Sequence, residues 1–554
     1  MHVTLVHPPQ FVAAGNQVST IAMPPLGLAY LAGTLREAGH EVAVVDGFGE
    51  GLGRRTPFGS VFLWGLPYEE IIRRIPKDTG VIGVGCMFSS NWLSTRLLLN
   101  RIRGAFRDVP VILGGEHATG LPEMCFAQSP IDLLVQGEGE EILLGLVGSL
   151  ASGESVAPLQ GIGYRRGSGR VNTAPANSHA PAGTPLLEGQ VVLNARGSRI
   201  RKVDDIPWPA WDLLDLESYI HANSPHGVSR GRFIPMLATR GCPFQCTFCT
   251  NPEMWTQLWI PRSPQKVVDE MEHYVRAYRV TDIQFEDLTA IVRREWIVEF
   301  CREILKRNLK ISFQLPSGTR SEAMDEEVAI LMKRAGCHEF AFAPESGDEE
   351  TLKIIKKQVS LPRMFAAARG AMRAGISVSC FFIVGFPHER IKHILKTYAA
   401  ILRCAVLGIK AISVNVFSPQ PSTRLFKELQ LQNRITLDDR YLWSLFEFPA
   451  VGRKKRSFNE RFSDAQITAI SIGGLILFYG TRYLLRPHLL PRLFWEMFGG
   501  TRDSDNRLGK YLRSMRKEFI RERKAPLDER SGEQDPGGEG SPASQEERDV
   551  EAVV

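Results

Sequence analysis

Residues 239–250 read TRGCPFQCTFCT and place Cys242, Cys246 and Cys249, three of the chain's nine cysteines, within eight positions. The gaps are three residues and then two. Three thiolates from one loop can hold three corners of a cubane, whereas a 4Fe–4S cluster normally takes four cysteines. A missing fourth ligand leaves one iron open, which marks a catalytic centre rather than a structural one. Zinc is the main competing reading, because structural zinc closes its shell with four ligands. The remaining cysteines are scattered through helical and strand-like patterns and read as buried thiols.

The loop follows the apolar run FIPMLAT (233–239). Five similar runs come after it: DIQFED (282–287), ISFQLPS (311–317), HEFAFAPES (338–346), SVSCFFIVG (377–385) and AISVNVFSP (411–419). Helical patterns such as PQKVVDEMEHYVRAY separate them. Repeated β-then-α units predict a partial parallel (β/α)6 barrel over residues 208–430. Such barrels carry their chemistry at the C-terminal ends of the strands, where the cysteine loop falls.

Residues 1–150 show five more buried-strand runs, from VTLVHPP (3–9) to DLLVQGEGE (132–140), alternating with helical spacing. This predicts an α/β, doubly wound, Rossmann-like domain, with ligands beyond the carboxyl ends of its strands. The turns there hold Ser89, Ser90, Gly114, Gly115, His117, Gly137 and Glu138. Small residues admit a bulky cofactor to the backbone; tight turns alone would use the same residues. Residues 151–207 are rich in Ala, Gly, Pro and Ser and read as a linker with a small hairpin around GIGYRRGSGRV.

Residues 431–524 read as a helical C-terminal region. Its segment 465–481 carries no charge but is shorter than the ~20 residues of a spanning helix. Residues 507–524 carry eight Lys or Arg against two Glu, with Leu508, Leu512, Met515 and Phe519 at helical spacing. The pair fits either a peripheral membrane contact or a cap on the barrel. Residues 525–554 are acidic and rich in Gly, Pro and Ser, an expected disordered tail.

At 554 residues, with 44% hydrophobic and 23% charged positions, the chain is long enough for several globular domains. A net charge of +6 gives no reason to expect a nucleic-acid partner. The start, MHVTLVHPPQ, has no basic n-region and no cleavage pattern, so a cytoplasmic protein is expected, with reduced thiols that bind metal.

The Cys-x3-Cys-x2-Cys loop after the first strand of a six-unit barrel, with Phe248 before the last cysteine, resembles the radical S-adenosylmethionine (SAM) superfamily. The resemblance implies that the three cysteines hold a 4Fe–4S cluster whose open iron binds SAM, and that the SAM carbon–sulfur bond is cleaved to a deoxyadenosyl radical. It further implies that Phe248 and VGFPHE (384–389) lie near adenine, that Glu345 binds the ribose or amino group, and that Ser317 and Arg320 meet the methionine carboxylate. The chain has FEDLTA (285–290) where many members have Gly-Gly-Glu, so Glu286 or Asp287 is expected at the SAM amino group.

The front domain, with GGEHATGLPE and GEGEE, resembles the cobalamin-binding domain that precedes many such barrels. The Asp-x-His-x-x-Gly signature is absent, so Ser89, Ser90, Gly114, Gly115, His117, Gly137 and Glu138 are expected as cobalamin-pocket residues, with no histidine on cobalt. Methyl transfer to an unactivated carbon of a lipid-like or natural-product substrate is the implied reaction. Ring formation with the same cofactors and a non-catalytic cobalamin module are the alternatives. A second cysteine trio, which a tRNA methylthiotransferase would need, is absent from the front domain. The resemblance also implies an external electron donor of flavodoxin or ferredoxin type. A monomer is expected, with any membrane contact at the inner surface.

Overall fold

The structure is a computed structural model of the chain, and it describes residues 1–13, 21–59, 61–167, 169–174, 189–228, 230–447 and 454–498. The expected basic helix at 507–524 and acidic tail at 525–554 lie outside the described residues.

The front sheet has seven strands: β1 (His2–His7), β2 (Glu41–Asp46), β3 (Val81–Gly85), β4 (Val111–Gly114), β5 (Leu133–Val135), β6 (Ile162–Arg165) and β7 (Val191–Leu193). Their order is β7-β6-β5-β4-β3-β1-β2. The first five run parallel in the order 2-1-3-4-5, so the sheet switches direction between β1 and β3. Helices Leu26–Glu37, Trp92–Ala105 and Gly139–Ser152 cover its faces. That burial on both sides explains why the strands read as unbroken apolar runs.

Two features differ from the sequence expectation. The 151–207 segment is not only a linker: β6 extends the front sheet antiparallel to β5, and β7 pairs antiparallel with β6 at its edge. The hairpin partner of GIGYRR is Val191–Leu193 rather than the nearby GRV. A second sheet, Gln10–Ala13, Arg55–Phe58 and Val61–Trp64, went unanticipated.

The barrel forms as expected. Strands β8 (Phe233–Met236), β9 (Asp282–Phe285), β10 (Ser312–Thr319), β11 (Cys337–Glu345), β12 (Ser377–Val384) and β13 (Ala411–Val416) lie side by side, all parallel. Alternation assigns the two faces. Phe285 and Phe313 point outward onto Phe300 of helix Arg294–Lys306, at ring separations of 5.7 and 5.5 Å. Asp282, Gln284, Glu286 and Gln314 therefore point into the lumen.

Residues 226–228, just before β8, thread that lumen. Gly227 N donates to Gln284 Oε1 at 2.9 Å, and Val228 N to Gln314 Oε1 at 2.9 Å. A Cβ at Gly227 would sit 2.0 Å from Gln314 Oε1, so a side chain there would have to displace the amide that holds Val228.

The sixth helix of the barrel arrives late. Helices Arg424–Leu431 and Asp439–Glu447 first cross to the front domain, where Asp439 pairs with Arg96 at 2.9 Å and Trp443 meets Phe11 at 6.2 Å. Phe386, Phe417 and Phe426 share one apolar cluster with Leu93 and Leu97 of the front domain, so the two domains have a common core. Helix Asp464–Leu485 then packs beside β13 and helix Ile391–Leu407. Tyr398 OH donates to Ile470 O at 2.5 Å, and Ile467 and Phe478 are fully buried. Burial of Phe478 alone contributes about 1.5–3 kcal/mol. By length and composition this helix could cross a membrane, yet one face is the barrel's own wall. Leu475 and Leu477 pack on the core, whereas Leu484 is 83% exposed.

Candidate active site

The cysteine loop leaves the first barrel strand through Thr239-Arg240-Gly241, and each of the first two residues is anchored. Asp287, at the end of β9, is wholly buried. It accepts from Ala238 N at 3.1 Å and Thr239 Oγ1 at 2.6 Å, as well as from Thr239 N. Burial pushes its carboxyl up to about 6 against these hydrogen bonds. Asp287 holds the loop root with both carboxylate oxygens.

Cys242, Cys246 and Cys249 are unbridged and half-buried, and burial raises each thiol, Cys249 to about 12. Metal binding must expel their protons. Among the described residues, Asp348, Glu350 and His393 offer donor atoms within 4.8 Å of one another. The all-sulfur donor set of the cysteine loop, three thiols with no fourth from the same loop, suits an iron–sulfur cubane. Lys396 and Lys392 already neutralise Asp348 and Glu350, at 2.6 and 3.0 Å.

Lys357, which sequence reasoning missed, is 12% exposed and pairs with Glu345 Oε1 at 2.9 Å. Burial pulls its pKa down, but Glu345 and the Cys246 thiol outweigh that and hold it above the ordinary lysine value. It supplies a fixed positive charge beside the three cysteines. Glu345 itself sits at φ 65°, a strained conformation for a side-chain-bearing residue.

Glu286 and Ser317 lie side by side at the ends of adjacent strands. Glu286 Oε2 accepts from Ser317 Oγ at 3.1 Å and from His226 Nδ1 at 2.9 Å. Glu286 Oε1 is buried without a partner, an acceptor waiting for a donor. His226 is a second residue the sequence hid, because the lumen-threading segment delivers it. Arg320 lies 3.9 Å over the Phe244 ring, and its Nη2 reaches Glu322 at 3.0 Å; both flank a cavity of about 390 Å³. Phe248 meets Phe386 of the VGFPHE turn at 5.7 Å. Glu389 ties that turn by accepting from Gly385 N at 2.6 Å and Phe386 N at 3.0 Å.

On the front domain, the ligand edge carries Met87 and Phe88, 47% and 62% exposed, beside Ser89 and Ser90. A Cβ on Gly137 would meet nothing within 4 Å, and one on Gly114 only Val135 at 3.9 Å. Open space over an apolar ledge fits a flat, bulky cofactor such as cobalamin. Gly115 differs, since its Cα packs against Cys86 O, where a Cβ would lie 2.3 Å away.

His117 is buried, with Nδ1 2.9 Å from Ser89 Oγ and its ring 4.7 Å from that of Trp92. Burial drives its pKa down to about 3, so it is neutral. The Glu138 carboxylate is engaged on the barrel side: Arg199 Nε, Ile200 N and Arg240 Nη1 donate to it at 2.6, 2.9 and 3.2 Å.

Comparison with known proteins matches this division. The sequence model of the B12 binding domain covers residues 16–147, and that of the Radical SAM superfamily covers residues 236–401. An uncharacterized methyltransferase of Pyrococcus horikoshii is 28% identical over 90% of this chain and 96% of its own length. The cytidylyl-2-hydroxyethylphosphonate methyltransferase of Streptomyces wedmorensis is 31% identical over 66% of this chain and 69% of its own. The anaerobic magnesium-protoporphyrin IX monomethyl ester cyclase of Rubrivivax gelatinosus is 27% identical over 77% and 70%. The solved cobalamin-dependent S-adenosylmethionine radical enzyme OxsB shares the fold, with a TM-score of 0.62 over 100% of this chain and 83% of that one at 15% identity. Two domain matches in the order of the fold, and a relative this similar over most of its length, settle the family: the chain belongs to the cobalamin-binding radical SAM enzymes.

Proposed function

We propose that this protein is a methyltransferase that acts on an unactivated carbon of a hydrophobic, lipid-like or natural-product substrate. The observation that carries the reading is the joint between the two halves of the site. Residues flanking the cysteines, Arg240 and Thr250, bond directly to Glu138, Glu140 and Glu116 in the front-domain turns. When bound, the 4Fe–4S cluster and SAM supply hydrogen abstraction from carbon, and cobalamin supplies the methyl group.

The chain's own residues bind, orient and shield. Cys242, Cys246 and Cys249 would hold the iron, and Lys357 offsets their charge. The unpartnered Glu286 Oε1 offers an acceptor to the SAM amino group, with Ser317 and His226 fixing the carboxylate. Arg320 offers a guanidinium to the SAM carboxylate, and Phe248 with the Gly385–Glu389 turn flanks adenine. Residues 226–228 close the lumen from below and keep water from it. Gly114 and Gly137, with Met87 and Phe88, would lie against the corrin.

Turnover with candidate hydrophobic substrates should give S-adenosylhomocysteine and 5′-deoxyadenosine in comparable amounts. A second reading, ring formation, is favoured by the cyclase among the relatives, and deoxyadenosine without S-adenosylhomocysteine would select it.

Cobalt carries no histidine in this reading. His117 Nδ1 is engaged by Ser89, and Nε2 is enclosed with no partner. Electron paramagnetic resonance of the cob(II)alamin form should lack nitrogen superhyperfine splitting; splitting that vanishes in His117→Ala would refute this.

The proposal includes a monomeric, cytoplasmic enzyme served by a flavodoxin- or ferredoxin-type electron donor, with no nucleic-acid partner. Its lipid-like substrate comes from the inner membrane surface. Exposed Ile391, Leu395, Ile476, Leu484, Phe494 and Trp495 give neighbouring helices an apolar outer face. Flotation with anionic liposomes should carry the protein upward in low salt; recovery in the soluble fraction at every lipid composition would contradict it.

A further inference from the structure

The cysteine loop is held at both ends by the two front-domain turns that border the cofactor ledge. On the leading side, Arg240 lies two residues before Cys242. Its Nη1 reaches Glu138 Oε1 at 3.2 Å and its Nη2 reaches Glu140 Oε1 at 2.5 Å. On the trailing side, Thr250 follows Cys249 directly and donates its hydroxyl to Glu116. Glu116 adjoins Gly115 and His117 at the end of β4, while Glu138 and Glu140 bracket the turn after β5.

These contacts are enclosed. The side chains of Glu138, Glu140, Arg199 and Arg240 are 2%, 9%, 7% and 5% exposed. Arg199 closes the set, with Nε on Glu138 at 2.6 Å and its Nη1 on Trp255 O in the helix after the cysteines. On the leading side two buried carboxylates meet two buried guanidiniums, so charge balances there. Buried ion pairs contribute little net stability, because desolvation cancels much of their attraction, but they fix geometry closely. The joint therefore serves placement: neither turn can shift without moving a flank of the cysteine loop.

We propose that Arg240 and Thr250 are positioning residues that couple cobalamin binding in the front domain to assembly of the iron–sulfur cluster, so that each site forms more readily when the other is filled. The proposal rests on the cofactor assignment of the proposed function and adds a thermodynamic link between the two sites. Linkage is reciprocal: the factor by which the cluster tightens cobalamin binding equals the factor by which cobalamin tightens the cluster.

The test measures the affinity of the full chain for hydroxocobalamin by anaerobic equilibrium dialysis, with the cluster reconstituted and with iron removed by chelation. In the wild type, the cluster should tighten binding at least about fivefold, the lower end of common coupling strengths. Thr250→Val removes one hydroxyl at constant shape, and Glu140→Gln leaves Arg240 its bond to Glu138. In each variant the ratio of the two affinities should fall toward one. Loss of fold quality alone would weaken binding in both states and leave the ratio intact, so a ratio kept in both variants overturns the proposal. A wild-type ratio of one overturns it as well. If no form binds cobalamin, the cofactor assignment falls together with the coupling.

Discussion

Simultaneous replacement of Cys242, Cys246 and Cys249 by alanine is expected to reduce SAM cleavage to background and to remove the bound iron, while the chain stays folded. The three sulfurs are half-buried, unbridged and held as neutral thiols by their surroundings. Losing them costs the empty protein little packing, but it removes every thiolate ligand of the loop. Cys301 and Cys404 are fully buried among apolar side chains, and their alanine variants should keep their iron. Iron assay and chromatographic detection of 5′-deoxyadenosine separate the two classes. Iron retained by the triple variant would place the cluster elsewhere.

Arg240→Met should produce the largest loss of stability from a single change in the joint, about 3–5 kcal/mol, because it leaves Glu140 and one oxygen of Glu138 buried without a cation. Arg240 also lies over the rings of Tyr30 and Trp255, at 5.2 and 6.0 Å, so some packing goes with the charge. Adding Glu140→Leu removes the stranded carboxylate and should restore much of the loss. Thermal unfolding of the single and double variants measures this. A single variant as stable as the wild type would mean that water reaches the joint and that the ion pairs do not set its geometry.

The parts of this molecule legible from sequence are those whose cause is local. The cysteine spacing lies within eight residues, and the six barrel strands announce themselves as apolar runs because each is covered by its own helix. Glu286 and Ser317 were legible as strand-end residues. Their partner His226 was not, because its loop gives no hint of threading the lumen.

Glu138 was legible as a turn residue at a ligand edge. The arginines that hold its carboxylate lie 61 and 102 residues onward, and only the folded chain brings them near. The late sixth helix has the same origin. Residues 464–485 are apolar on both faces, so their pattern could not tell barrel wall from membrane surface. Contact with Tyr398 and Val414 shows that one face is wall.

In the proposed enzyme, one site unites an open iron–sulfur cluster with cobalamin. The direct measurement is anaerobic reconstitution with iron, sulfide and hydroxocobalamin, followed by reduction with dithionite in the presence of SAM. About four irons and about one cobalamin per chain are expected, with 5′-deoxyadenosine released. A colourless protein with stoichiometric zinc, or intact SAM after reduction of a fully loaded protein, would contradict it.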